Sequence, residues 1–146
     1  MSDENKAVVR RYYREVWERG DLRVVDEIFA ADVELHMAGI PEDPFGPAPV
    51  KQLAAMARTA FPGLRVTIED LIVERDKVVA TVSLHGPHDG TAQGVSPQEA
   101  TAIWRRIDVF RLHRGLIVEH WSDRDDHALL QRLGIAPPLT PPPREA

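Results

Sequence analysis

The sequence contains no cysteine, which excludes a disulfide framework, thiolate metal ligation and a cysteine nucleophile together. That absence fits a reducing cytoplasm, the expected location. Nor is there a run of Lys or Arg: 18 basic and 23 acidic residues are mixed along the chain, giving a formal charge of -5. A chain of that kind lacks the basic footprint of a nucleic-acid partner. No apolar stretch is long enough to span a bilayer. The opening Met1-Ser2-Asp3-Glu4-Asn5 is polar and acidic, unlike a signal peptide. No serine lies in a nucleophile elbow, and no glycine-rich phosphate loop is present. What remains is a soluble intracellular domain with neither nucleic acid nor membrane as partner.

The 146 residues fit one domain, large enough to bury roughly 70% of the surface of its unfolded chain. Val9, Tyr12, Tyr13 and Val16 recur at helical spacing, predicting a helix over 4–19 that Gly20 ends. Asp21 is placed to cap a second helix carrying Leu22, Val25, Ile28 and Phe29. A short strand over 33–37 precedes a breaker-rich loop with Gly39, Pro41, Pro44, Gly46 and Pro47. A third helix spans about 49–61, and Pro62-Gly63 stops it. The rest alternates as strands. Turns are expected at 75–77 and 113–115, and a long loop or broken strand over 86–100. A last short helix carries Leu129, Leu130 and Leu133, so the domain occupies 1–134. A proline-rich tail, 135–146, has little to bury. Segregated helices and hairpin-linked strands indicate an α+β fold with an antiparallel sheet.

The strongest chemistry lies in the last hairpin. Strand alternation puts Trp104, Arg106, Asp108, Phe110 and Leu112 on one face of 101–112, and Ile103, Arg105, Ile107, Val109 and Arg111 on the other. The returning strand presents Val118, His120 and Ser122 on one face and Ile117, Glu119 and Trp121 on the other. A mid-strand carboxylate among apolar neighbours must be paired or hydrogen-bonded, and Arg106 is two residues away. An Asp and a His at the floor of an apolar pocket are equipped for acid–base chemistry near neutral pH. The same residues read equally well as a buried Arg106–Asp108 ion pair with His120 as a core histidine. His36 stands at the end of the first strand, either at a pocket mouth or on the surface. His85, His88 and Asp89 flank a Gly-Pro turn that splays the two rings, so no metal is expected there. Tyr12, Tyr13 and Trp17 are helix core, from which a tyrosine hydroxyl can reach a pocket.

These residues resemble a known family. Ile107-Asp108-Val109-Phe110-Arg111, Gly115-Leu116-Ile117-Val118-Glu119-His120-Trp121, Asp125 and Leu129-Leu130-Gln131-Arg132-Leu133-Gly134 resemble the C-terminal signature of SnoaL-like ester and polyketide cyclases. Tyr12-Tyr13, Val16-Trp17 and Gly20-Asp21-Leu22 are similar to its opening helical hairpin. Ala31-Asp32-Val33 with His36 is similar to its first strand, and Gly86-Pro87-His88-Asp89-Gly90 and Gly94-Val95-Ser96-Pro97 to its loop motifs. The resemblance implies the nuclear-transport-factor-2-like fold: a cone-shaped barrel in which a curved antiparallel sheet and three N-terminal helices enclose a pocket. It also implies a homodimer; the face bearing Ile103, Ile107 and Val109 needs cover, either from helices or from a second copy.

The activity the resemblance implies is a cyclase or isomerase acting without a cofactor on a polyketide-like or other apolar carbonyl metabolite. A base removes a methylene proton, the enolate closes an aldol ring, and an acid protonates the alkoxide. The actors expected here are Asp108 as base, His120 as proton donor and Arg106 as orienter. Tyr13, Trp17, His36 and His88 are expected to contact substrate, as are Trp104, Phe110 and Ser122. Ser122 falls where the family carries its catalytic aspartate, and serine cannot act as a carboxylate base. Arg106-x-Asp108 is also similar to the arginine–aspartate pair of epoxide hydrolases and epoxide-opening ring-forming enzymes, an alternative reading. A non-catalytic small-molecule binding domain is the third.

Overall fold

The computed structural model describes residues 2–37, 45–87 and 101–124. Helix α1, Ser2–Arg11, runs directly into a π-helix, Tyr12–Glu18, where the sequence pattern predicts one continuous α-helix. Helical periodicity is nearly blind to this change. Tyr12, Tyr13, Val16 and Trp17 share a buried face in the wider i→i+5 coil, as they would in an α-helix. Gly20, at φ 73°, ends the coil, and Asp21 N–H returns to Glu15 O at 2.9 Å. Arg58 donates to the Trp17 and Glu18 carbonyls, satisfying oxygens that a helix end leaves without partners.

Helix α2, Arg23–Ile28, is a short connector, and Asp21 accepts from the Arg23 N–H without being its N-cap residue. Phe29, expected on that helix, instead opens strand β1, Phe29–Met37, which is longer than the alternation from Val33 implies. Helix α3, Ala48–Ala60, buries Val50, Ala54 and Ala57. Four strands follow as two hairpins: β2, Arg65–Glu74; β3, Lys77–Pro87; β4, Thr101–His113; and β5, Leu116–Arg124. The second turn has two residues, Arg114 and Gly115, both at positive φ (51° and 80°), the geometry that matches hairpin twist.

The sheet order is β1-β5-β4-β3-β2. Three of its four pairings are antiparallel, and β1 pairs with β5 in parallel, so the sheet is mixed rather than wholly antiparallel. The parallel pair is possible because helix α3 and strands β2, β3 and β4 lie between β1 and β5 in the chain, freeing β1 from any hairpin constraint. Strand β2 is an edge. Its Val66 N–H donates to Glu18 Oε1 at 2.8 Å and its carbonyl accepts from Arg14 at 2.7 Å, so the helix closes part of that edge.

One sheet face meets the helices in a core built from Val9, Tyr12, Tyr13, Val16 and Trp17 against Leu35, Val78, Leu84, Phe110 and Leu112. Each such side chain contributes about 1.5–3 kcal/mol on burial. A β-bulge at Val118 breaks the expected alternation. Arg111 pairs with Glu119 but Leu112 pairs with Ile117, so Ile117 turns inward and is fully buried. No helix among the described residues is long and apolar enough to cross a membrane. The expected last helix, the tail and the loop carrying His88 lie outside the described residues.

Candidate active site

Strand register decides what meets what. Asp108 lies directly opposite Ser122, and Phe110 directly opposite His120. His120 is therefore Asp108's diagonal neighbour on the inner face, within reach of a side-chain contact. The imidazole stacks on Phe110, with ring centroids 4.5 Å apart and planes 11° from parallel. Its Nε2 comes 3.4 Å from Asp108 Oδ1, at ion-pair distance but without hydrogen-bond alignment. Tyr12 and Phe29 pack around the same ring.

Asp108 is the hub. Its Oδ2 accepts the Tyr13 hydroxyl at 2.5 Å, and its Oδ1 accepts Arg106 Nη2 at 3.2 Å. The same Arg106 nitrogen lies 3.3 Å from Ser122 Oγ, which accepts from it. The Arg106 guanidinium rests over Trp17 at 4.5 Å and faces Trp104 at 5.8 Å, which replaces part of its lost hydration. The side chains of Arg106 and Asp108 have no exposed surface, and neither does that of His120.

Burial alone would push the Asp108 carboxyl up, but the Arg106 charge, with His120 and Ser122, outweighs it and holds the group well below the ordinary carboxylate range. Arg106 is raised by the same pairing: burial opposes its charge and Asp108 overrides that opposition. For His120 desolvation wins. Its pKa falls below 6.5 although Asp108 pulls the other way, so the imidazole is neutral at pH 7. Burial, then Asp108, raises the Tyr13 phenol well above 10, so it stays a donor. The result is a hydrogen-bonded, ionised carboxylate beside a neutral imidazole whose two nitrogens have no hydrogen-bond partner among the described residues.

Arg106, Asp108, His120, Tyr13, Trp17, Trp104, Phe110 and Ser122 are thus gathered in one cluster on the inner side of the sheet. His36 is not among them. It pairs across from Trp121 on the opposite face, stacks on it at 5.2 Å, and bonds Glu119 at 2.7 Å. Expected at a pocket mouth or on the surface, it takes the surface place. His88 lies outside the described residues. Tyr12, read from sequence as helix core from which a tyrosine hydroxyl can reach a pocket, packs edge-on against the His120 ring.

A family model described as SnoaL-like polyketide cyclase matches residues 7–133. Among solved structures, AclR from Streptomyces galilaeus, provisionally termed a hydroxylase, is 27% identical with a TM-score of 0.76, covering 94% of this chain and 89% of its own. IdmH from Streptomyces antibioticus, provisionally termed a polyketide cyclase, is 26% identical with a TM-score of 0.76, covering 89% of this chain and 98% of its own. A Catenulispora acidiphila protein with a ketosteroid isomerase-like fold, in complex with trimethylamine, is 17% identical with a TM-score of 0.70 over 92% of this chain and 97% of its own, a likeness of fold. No curated protein matches.

Proposed function

The chain belongs to the SnoaL-like polyketide cyclase family, and on that premise we propose that it is a cofactor-independent cyclase or isomerase working by acid–base, aldol-type chemistry on an apolar, carbonyl-bearing metabolite. The observation that carries this reading is the neutral His120 held against an ionised Asp108 in an aromatic setting. Those contacts favour His120, expected from sequence as proton donor alone, as the base as well. A carboxylate stabilised by Tyr13, Arg106 and Ser122 is a weak base. The uncharged imidazole is the stronger acceptor. In this scheme His120 takes the methylene proton and Asp108 stabilises the imidazolium 3.4 Å away. The enolate carbon attacks the carbonyl to form the ring bond, and the new alkoxide takes the proton back from His120. Arg106 keeps Asp108 ionised throughout.

Substrate would enter past Ser122, the half-buried member of the cluster, near the end of the sheet where β1 and β5 finish. The complete burial of Arg106, Asp108 and His120 favours a second reading, a binding domain without turnover. The epoxide alternative has less support. It is framed on an arginine–aspartate pair, and both oxygens of Asp108 are already engaged, Oδ2 by Tyr13 and Oδ1 by Arg106. The deciding experiment is native mass spectrometry of the protein incubated with extract of its source cells, beside His120→Gln. A metabolite that the wild type releases rearranged or changed in mass, and the variant holds unchanged, supports the enzyme. The same molecule held unchanged by both leaves a binding protein, and diol or cyclic-ether products from an epoxide panel would favour the alternative.

The outer face of the sheet supports a homodimer. Ile72, Val79, Val109, Trp121 and His36 form one cross-strand row, and Ile72 and the neighbouring Ile107 are 54% and 50% exposed. A second copy is the partner that would cover this row.

A further inference from the structure

Tyr13 moves no proton in the acid–base scheme and enters it only through its bond to Asp108. Its hydroxyl reaches Asp108 Oδ2 at 2.5 Å across 95 residues of sequence, and both side chains are fully buried. That bond divides the labour of the carboxylate. Oδ2 belongs to the tyrosine, while Oδ1 faces Arg106 Nη2 at 3.2 Å and His120 Nε2 at 3.4 Å. A carboxylate turns about one torsion, so pinning Oδ2 also fixes where Oδ1 points. The phenol is itself pinned. Its ring packs against Tyr12 at 5.0 Å and Phe110 at 6.2 Å, and its backbone lies in the π-helix, a coil that commonly marks functional positions.

We propose that Tyr13 is a positioning residue for His120: by holding Asp108 Oδ2 it fixes the oxygen that meets the imidazole and draws off part of the negative charge the imidazole feels. The proposal rests on the acid–base reading only for its catalytic consequence, because the geometry itself requires no turnover. Among the described residues the groups around His120 are few. Strand β4 contributes Asp108 and Arg106, the π-helix contributes Tyr12 and Tyr13, and β1 contributes the uncharged Leu35 and Phe29. Asp108 is the single anion among them, so any change in how its charge is shared is read by the imidazole. The tyrosine stays protonated, held there by burial and by Asp108, so it acts as a fixed donor and not as a second titrating group.

The sign follows. Removing the hydroxyl concentrates charge on the carboxylate and strengthens its pull on a protonated imidazole, so the proton affinity of His120 rises. A more acidic phenol of the same shape does the reverse. The experiment is an NMR titration of the histidine rings in the full chain, with His120→Gln identifying the His120 signal among six histidines. In Tyr13→Phe the His120 midpoint should move up by about one pH unit, about tenfold in proton affinity, while the other histidines stay in place. With 3-fluorotyrosine at position 13, which keeps the hydroxyl and the fold should Tyr13→Phe lose it, the midpoint should move down. An unmoved His120 midpoint in either folded protein, or an equal shift of all histidines, overturns the proposal. A moved midpoint in a protein that converts no metabolite keeps Tyr13 in this role and removes the enzyme reading. Turnover that depends on His120 with no movement in the titration does the opposite.

Discussion

The two faces of the sheet carry nearly the same chemical parts in different surroundings. Inside, His120 stacks on Phe110 and stands 3.4 Å from Asp108, with Arg106 on the carboxylate. Outside, His36 stacks on Trp121 and stands 2.7 Å from Glu119, with Arg111 at 2.9 Å on that carboxylate and Glu34 nearby. Burial separates them. The inner side chains have no exposed surface, whereas His36 and Arg111 each keep 37%. Both carboxylates lie below their ordinary pKa, and in both burial opposes the shift. Asp108 owes its shift chiefly to the unscreened charge of Arg106, and Glu119 to hydrogen bonds from His36 and Arg111. The same parts thus make a committed charge arrangement inside and an exchangeable one outside.

The sharpest way to break that comparison is to remove the arginine from each side. Arg106→Met leaves Asp108 as an uncompensated buried charge and should cost about 3–5 kcal/mol in urea unfolding at pH 7. Arg111→Met, with solvent to take over, should cost about 0–1 kcal/mol. Equal losses would mean that burial is not what distinguishes the two clusters.

A smaller effect on the inner face is read by pH. His120 has a folded pKa depressed below 6.5, so the stability it carries is complete above about pH 6.5 and is lost as pH falls through the folded value. Asp108 is depressed from 3.8, so its contribution is complete above about pH 4 and goes only at stronger acid. Melting temperatures of the wild type should therefore start to fall below about pH 6.5, in the window where histidines titrate. His120→Gln should flatten that part of the curve and keep the loss below pH 4. An equally steep fall in His120→Gln would place the sensitive group elsewhere.

The contrast also explains what the sequence could reveal. Period-two alternation on 104–112 identified the inner face of β4, because a buried strand face leaves a strong apolar pattern with Arg106 and Asp108 as its exceptions. It could not show that Asp108 meets Ser122 and only diagonally meets His120, since register depends on the two-residue turn and the bulge at Val118. The bulge also hid the inward turn of Ile117. The parallel placement of β1 was illegible for a different reason: it comes from a long-range pairing that no local pattern encodes. His36 was ambiguous because a strand-end histidine reads the same on either face. The Tyr13–Asp108 bond needs a helix and a strand 95 residues apart to be docked before it exists.

The smallest expected effect on the chain itself concerns the outer row. Ile107 is half exposed on the opposite side of β4 from Arg106 and Asp108, so Ile107→Lys removes little buried area and should change the stability of a single chain by no more than about 0.5 kcal/mol. If two copies cover the row, the same lysine places a charge in an apolar contact and should turn a sedimenting dimer into a monomer at micromolar concentration. The inner cluster should not notice, and the His120 titration of the variant should overlay that of the wild type. A wild type that already sediments as a monomer would remove the dimer. A dimer that survives the lysine would move its interface off this face. A shifted His120 titration would mean that the two faces communicate through the sheet, and the inner cluster could no longer be treated as insulated from what docks outside.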